Sequence, residues 1–167
     1  MKLDITGLSS CYTVKRLTEN DIPNILELCE SNPLYYKYFK VPCTADSVKE
    51  DLKITPPGKC ISDKYYVGFY SDGKLFGVLD IVCGYPCEST AYIGFFMLHS
   101  SVQGKGKGSS IIDEVCGYLK EVGFKKVRLA ILRGNPQAGR FWTKNGFKSV
   151  ETVKKDYGVV VVSEKEL

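Results

Sequence analysis

Residues 102–115 read VQGKGKGSSIIDEV, with glycines at 104, 106 and 108 alternating with Lys105 and Lys107 before an apolar-periodic run. Glycine at that density costs chain entropy, so something in this stretch requires a backbone without side chains. Just upstream, TAYIGFFML (90–98) is an almost unbroken apolar run, as expected of a central strand. Just downstream, Ile111, Ile112, Val115, Cys116 and Leu119 recur at helical spacing and define one buried stripe. The order is strand, glycine turn, helix, with the helix expected from about Ser109 to a C-terminal stop at Gly123. The free amides of such a helix start, aided by its dipole, form an anion site, and the two lysines add mobile positive charge. Two phosphate motifs fail here. A P-loop needs Gly-Lys-Ser/Thr, but Lys107 is followed by Gly108. The dinucleotide fingerprint needs a further glycine where Ser109 stands, and no second βαβ unit follows.

The flanking sequence supplies the rest of the sheet. YTVKRLT (12–18) alternates as a first strand, and Thr18 with Asp21 resembles a capping box before the helical spacing of Ile22, Ile25, Leu26 and Cys29. Pro23 falls in the first turn, where its missing donor costs little. The aromatic segment PLYYKYFKVP leads to a second cap at Thr44 and a short helix that TPPGK stops. KYYVGFY, the turn SDGK and LFGVLDIV predict a hairpin. After the glycine-turn helix come a fifth strand in KKVRLAI, a helix in NPQAGRFWTKN ended by Gly146, and final strands in FKSVET and GVVVVS. These elements predict an α+β fold built as one domain over residues 1–167, with a mixed sheet of about seven strands flanked by about four helices.

Bulk properties narrow the partners. At 167 residues and 44% hydrophobic content the chain can bury a full core. No apolar run reaches membrane-spanning length and the first ten residues lack a signal-peptide core, so a cytoplasmic protein without a membrane partner is expected. Seven scattered cysteines with one histidine show no paired zinc spacing. They predict reduced, mostly buried thiols and no metal. A net charge of +4 without a block of like charges argues against nucleic acid and favours at most an anionic small ligand.

Gln103-x-x-Gly106-x-Gly108 resembles motif A of the GNAT (GCN5-related N-acetyltransferase) family, which binds the pyrophosphate of acetyl-coenzyme A. The run IGFFMLHSSVQGKGKGSSIIDEV looks like that family's fourth strand, loop and third helix. NPQAGRFWTKNGF is similar to its Asn-containing helix ending in Gly-Phe, and the element order over residues 12–163 matches as well. The resemblance implies a GNAT-like fold and acetyl transfer from acetyl-CoA to a primary amine of a small molecule or a protein or peptide, by a monomer or homodimer. It assigns the cofactor to Gln103, Gly104, Lys105, Gly106, Lys107, Gly108 and Ser109, to the main chain of Phe96, Met97 and Leu98, and to Asn135 and Trp142. Asn135 is also the expected N-cap of its helix, with Pro136 at its first position.

Such a transfer needs a neutral amine, a stabilised oxyanion and an outlet for the leaving thiolate. The family often supplies a tyrosine as general acid, but Trp142 occupies that slot. An indole is no proton donor in this sense, yet a thiol of ordinary pKa, near 8.5, leaves without full protonation. For the base, Asp80 interrupts the apolar strand FGVLDIVCG, and a buried carboxylate is expensive unless paired or used. His99 is the other candidate, at the end of the fourth strand, with Glu88, Tyr92 or a water relay behind them. Tyr35, Tyr36 and Tyr85 are the aromatic candidates for an acceptor wall, through cation–π contact with an amine. A non-catalytic acyl-CoA sensor is the alternative that the missing tyrosine supports.

Overall fold

The computed structural model describes residues 2–167. Its strands are β1 (Thr13–Arg16), β2 (Lys64–Ser71), β3 (Lys74–Cys83), β4 (Thr90–Leu98), β5 (Lys126–Leu132), β6 (Lys148–Lys155) and β7 (Gly158–Glu166). They form one seven-stranded sheet in the order β1-β2-β3-β4-β5-β7-β6. Every pairing is antiparallel except β4 with β5. The helices are α1 (Ile22–Glu30), α2 (Pro33–Phe39), α3 (Ala45–Asp51), α4 (Lys107–Glu121) and α5 (Pro136–Lys144). The α+β fold with a mixed seven-stranded sheet is the one expected, but with five helices. The extra helix is α2, which forms in the aromatic segment because Pro33 opens it at a tolerated position and Lys40 closes it with a left-handed backbone.

Strand alternation divides the core between the two faces of the sheet. Leu79 and Ile81 of β3 turn towards α4, whose buried residues are Ile111, Ile112, Val115, Cys116 and Leu119, the stripe the spacing predicts. Val78 of β3, Tyr66 of β2 and Met97 of β4 turn the other way, against Ile25, Leu28 and Cys29 of α1 and Val48 and Leu52 at α3. Trp142 of α5 joins the α4 side, in edge-on contact with Phe96, Phe141 and Phe147. Thr18 and Asp21 do form a capping box, but it closes a single 3-10 turn ahead of α1. The cysteines depart from expectation. All seven are free thiols, yet only Cys29, Cys83 and Cys116 are buried, while Cys43 is half-buried and Cys11, Cys60 and Cys87, outside the strands and α-helices, lie exposed. Among the described residues, no helix is long and apolar enough to cross a membrane.

Two neighbours on α4 test this packing in opposite directions. Leu119 is fully buried, so Leu119→Ala should cost about 2–5 kcal/mol. Gly117 has open space where a Cβ would go, so Gly117→Ala should stabilise by about 0.5–1 kcal/mol. Urea unfolding of the two variants measures both.

Candidate active site

The parallel pair at the centre of the sheet is short. β4 and β5 are in register only from Thr90–Lys126 to Ile93–Leu129. Beyond that point β5 continues with β7 alone and β4 with β3 alone, which opens a slot between the two central strands. The parting coincides with a β-bulge. Ile81 faces Ile93 and Asp80 faces Phe95, so Gly94 is the extra residue. A Cβ at Gly94 would run into Oδ2 of Asp80, so the carboxylate occupies the space that glycine leaves.

The main-chain direction along the slot follows from the ladder. His99 N donates to Phe76 O at 2.8 Å, which makes Leu98–Gly77 a non-hydrogen-bonded pair. Alternation then sends the amides and carbonyls of Phe95 and Met97 to β3, and those of Phe96 and Leu98 into the slot. Met97, expected to line the donor site with its neighbours, therefore directs its main chain away from it. The Leu98 carbonyl is already taken, by Asn32 Nδ2 at 3.0 Å and Gln103 Nε2 at 2.8 Å. Among the described residues, the Phe96 amide and carbonyl have no strand partner.

At the end of the slot, α4 begins at Lys107, two residues earlier than the sequence suggests. Gly106 sits at the N-cap with φ +79°, and having no side chain it leaves the first amides of α4 uncapped. Gly104, at φ +73°, turns the chain before it. Both angles lie in the left-handed region, which explains the glycine spacing. Ser109, in the first turn, is half-buried beside them. The lysines of the loop are partly engaged: Lys105 Nζ bonds Ser101 O at 3.0 Å, and Lys107 Nζ lies over the rings of Phe76 and Tyr12 at 5.4 and 5.8 Å. Gln103 turns inward as a bracket, bonding Asn32 Oδ1 as well as the Leu98 carbonyl. Asn135 caps α5 by accepting from Ala138 N at 3.1 Å.

Asp80 lies on the other face of the sheet, among the residues covered by α1 and α3. It is buried, with Oδ2 held by Lys64 Nζ at 2.7 Å and Oδ1 without any hydrogen-bond partner among the described residues. Burial pushes its carboxyl up to about 6, against the opposing pull of Lys64. His99 has a different role. Its Nδ1 accepts from Ser101 N at 3.2 Å and meets Ser101 Oγ at 2.8 Å, capping a 3-10 turn. Glu88 is exposed, and Tyr92 is half-buried with its hydroxyl pushed up to about 12 by burial. On the same face, Tyr35 meets Phe95 edge-on at 6.0 Å and stacks on Phe39, which in turn meets Tyr157 from the β6–β7 turn at 5.9 Å. Tyr85 packs edge-on against Tyr92, and Tyr36 is half-buried on α2.

The slot thus has a bare helix start and free main chain on one side, and an aromatic wall with one carboxylate on the other. The chain belongs to the acetyltransferase (GNAT) family, whose description matches residues 27–147. Its fold is that of an acetyltransferase from Thermus thermophilus, at 20% identity and TM-score 0.76, covering 93% of this chain and 97% of that one. It also resembles the PaiA N-acetyltransferase of Thermoplasma acidophilum in complex with coenzyme A, at 20% identity and TM-score 0.68, covering 93% and 99%. AAC(6')-Ib, solved with ribostamycin and coenzyme A, aligns at 18% identity and TM-score 0.71, covering 93% of each chain. No curated protein matches the chain.

Lys64, Gly94 and Asn32 are the residues that sequence reasoning missed. A glycine inside TAYIGFFML was a readable sign of a bulge, whereas Lys64 at the start of a strand looks like an ordinary surface lysine. Gly94→Ala tests the close approach. The added methyl must displace Asp80 or the strand, so urea unfolding should show a loss of about 1–3 kcal/mol.

Proposed function

We propose that this protein is an N-acetyltransferase that moves the acetyl group of acetyl-CoA to a primary amine. The observation that carries this reading is the slot itself: an unpaired Phe96 main chain leading to an uncapped helix start, with a half-satisfied carboxylate across the sheet. The residues fit such a donor. The amides of Lys107, Gly108 and Ser109 would take its pyrophosphate, as a helix start with positive-φ glycines before it does for anions. Phe96 would take the amide-bearing arm strand-fashion, while Leu98 offers its N–H and Asn135 its uncommitted Nδ2. Bound acetyl-CoA supplies an activated thioester.

The chain's own contribution is to bring an amine to it and remove a proton. The amine enters on the α1–α3 face, where Tyr35, Phe39, Phe95 and Tyr157 present aromatic surface and Tyr85 and Tyr92 lie beyond. Oδ1 of Asp80 accepts the amine proton, directly or through one water. A carboxyl raised to about 6 is a usable base near neutral pH, and it must be ionised to act. Activity at saturating acceptor should therefore fall as pH drops below about 6. Trp142, packed among Phe96, Phe141 and Phe147, walls the donor side in place of a proton donor.

Release of free coenzyme A thiol from acetyl-CoA, followed over a panel of amino acids, polyamines, aminoglycosides and peptide N-termini, tests the reading. Amine-dependent release is expected. Tight coenzyme A binding without release for any amine would instead favour an acyl-CoA sensor, the reading that Trp142 supports. Asp80→Asn should lower kcat roughly a hundredfold with coenzyme A affinity kept. Gly106→Ala, which forces a side chain into φ +79°, should weaken coenzyme A binding about tenfold or more by calorimetry, with little loss of turnover at saturation.

A further inference from the structure

Among the described residues, Lys64–Asp80 is the ion pair with both side chains buried, at 2% and 10% exposure. Every other pair has at least one side chain more than a fifth exposed. The two residues are diagonal neighbours on the ladder, since Lys64 faces Val82 and Asp80 faces Tyr66. A lysine stem spans that diagonal, and its ammonium also lies 5.5 Å from the Tyr66 ring. The Lys64 backbone is fixed too, its carbonyl accepting from Arg16 Nη1 at 3.1 Å.

A pair kept for structure alone would satisfy both carboxylate oxygens, because a buried ion pair stabilises only when its remaining lone pairs are bonded. Here one oxygen is held, and the other is buried with no hydrogen-bond partner among the described residues. Gly94 lies against the held oxygen, and no other described side chain bonds the carboxylate. Besides burial, the groups that set its charge are Lys64 from β2, which lowers its carboxyl, and Asp51 from α3, which raises it; the hydroxyls of Tyr66 on β2 and Tyr92 on β4 are themselves pushed up in part by its charge. Cys29 of α1 shares the buried cluster of Tyr66. Lys64 is the cation of this set.

We propose that Lys64 is a positioning residue for acetyl transfer: it clamps Oδ2 of Asp80 so that Oδ1 alone takes the proton from the acceptor nitrogen. The N–H bond of the acceptor breaks, the O–H bond forms on Oδ1, and the ammonium of Lys64 stays protonated throughout. This rests on the assignment of Asp80 as base. It also gives Lys64 a second effect, since its positive charge favours the ionised carboxylate and opposes the effect of burial.

The test is the pH dependence of kcat at saturating acceptor for wild type, Lys64→Met, Lys64→Arg, Asp80→Asn and the Asp80→Asn/Lys64→Met double variant. Lys64→Met should lower kcat about tenfold or more and move the acid limb to higher pH, with coenzyme A affinity within about twofold of wild type. Lys64→Arg keeps the charge, so the limb should stay in place. Its longer planar head should still cost about threefold in kcat. In the Asp80→Asn background, Lys64→Met should have no further effect on kcat. An unmoved limb and unchanged kcat in Lys64→Met, with only a lower melting temperature, overturns the role of Lys64 alone. If Lys64→Met does not fold, wild-type kcat in Lys64→Arg overturns it. Turnover that survives Asp80→Asn overturns the base assignment and this role with it.

Discussion

Asp80 carries a carboxylate into the middle of a seven-stranded sheet, and the strand beside it has to make room. It does so at Gly94, where β4 takes one extra residue and a side chain would collide with Oδ2. That bulge is also the last point at which β4 follows β5. From there the two parallel strands part, and the slot between them is where unpaired main chain becomes available. The position of the carboxylate and the opening of the sheet are thus two results of one local constraint. A side chain at residue 94 would disturb both.

The slot separates two environments. On the α4 side the partial positive charge of a helix start is left uncapped, and glycines let a ligand approach the backbone. On the α1–α3 side the groups are aromatic rings, a buried lysine and one carboxylate oxygen without a partner. The first is a polar edge of free amides, and the second is an apolar surface around one buried ion pair. Asn32 links them mechanically. From the end of α1 it bonds the Leu98 carbonyl and the Gln103 side chain, so the helix that covers the Asp80 face also braces the loop that leads to α4. Each of those bonds contributes about 1 kcal/mol on average, but leaving their buried partners unbonded would cost more.

The sheet and the helix start were legible because their signals are local. The α4 stripe has a fixed period, β4 is continuously apolar, and glycine at 104 and 106 marks backbone that only glycine adopts without strain. Asp80 stood out as a lone charge in an apolar strand. What stayed hidden depends on register. Lys64 becomes buried only because β2 pairs with β3 so that residue 64 lies diagonal to residue 80, and nothing near Lys64 in sequence reveals that. The same holds for main-chain direction along β4, which places Phe96 in the slot and turns Met97 to β3. Helix α2 stayed hidden because its rings pack against partners from β4 and the β6–β7 turn, which leaves no apolar stripe of helical period to read.

The central claim is that the parted edge of β4 is a binding edge for the donor substrate, and amide hydrogen exchange at two adjacent residues reads it directly. Met97 N–H is committed to the β3 ladder and should be protected with or without coenzyme A. Among the described residues Phe96 N–H has no main-chain acceptor, so it should exchange freely and slow by about tenfold or more when coenzyme A is added. A Phe96 amide as protected as Met97 in the free protein, or one that saturating coenzyme A leaves unchanged, would contradict the account.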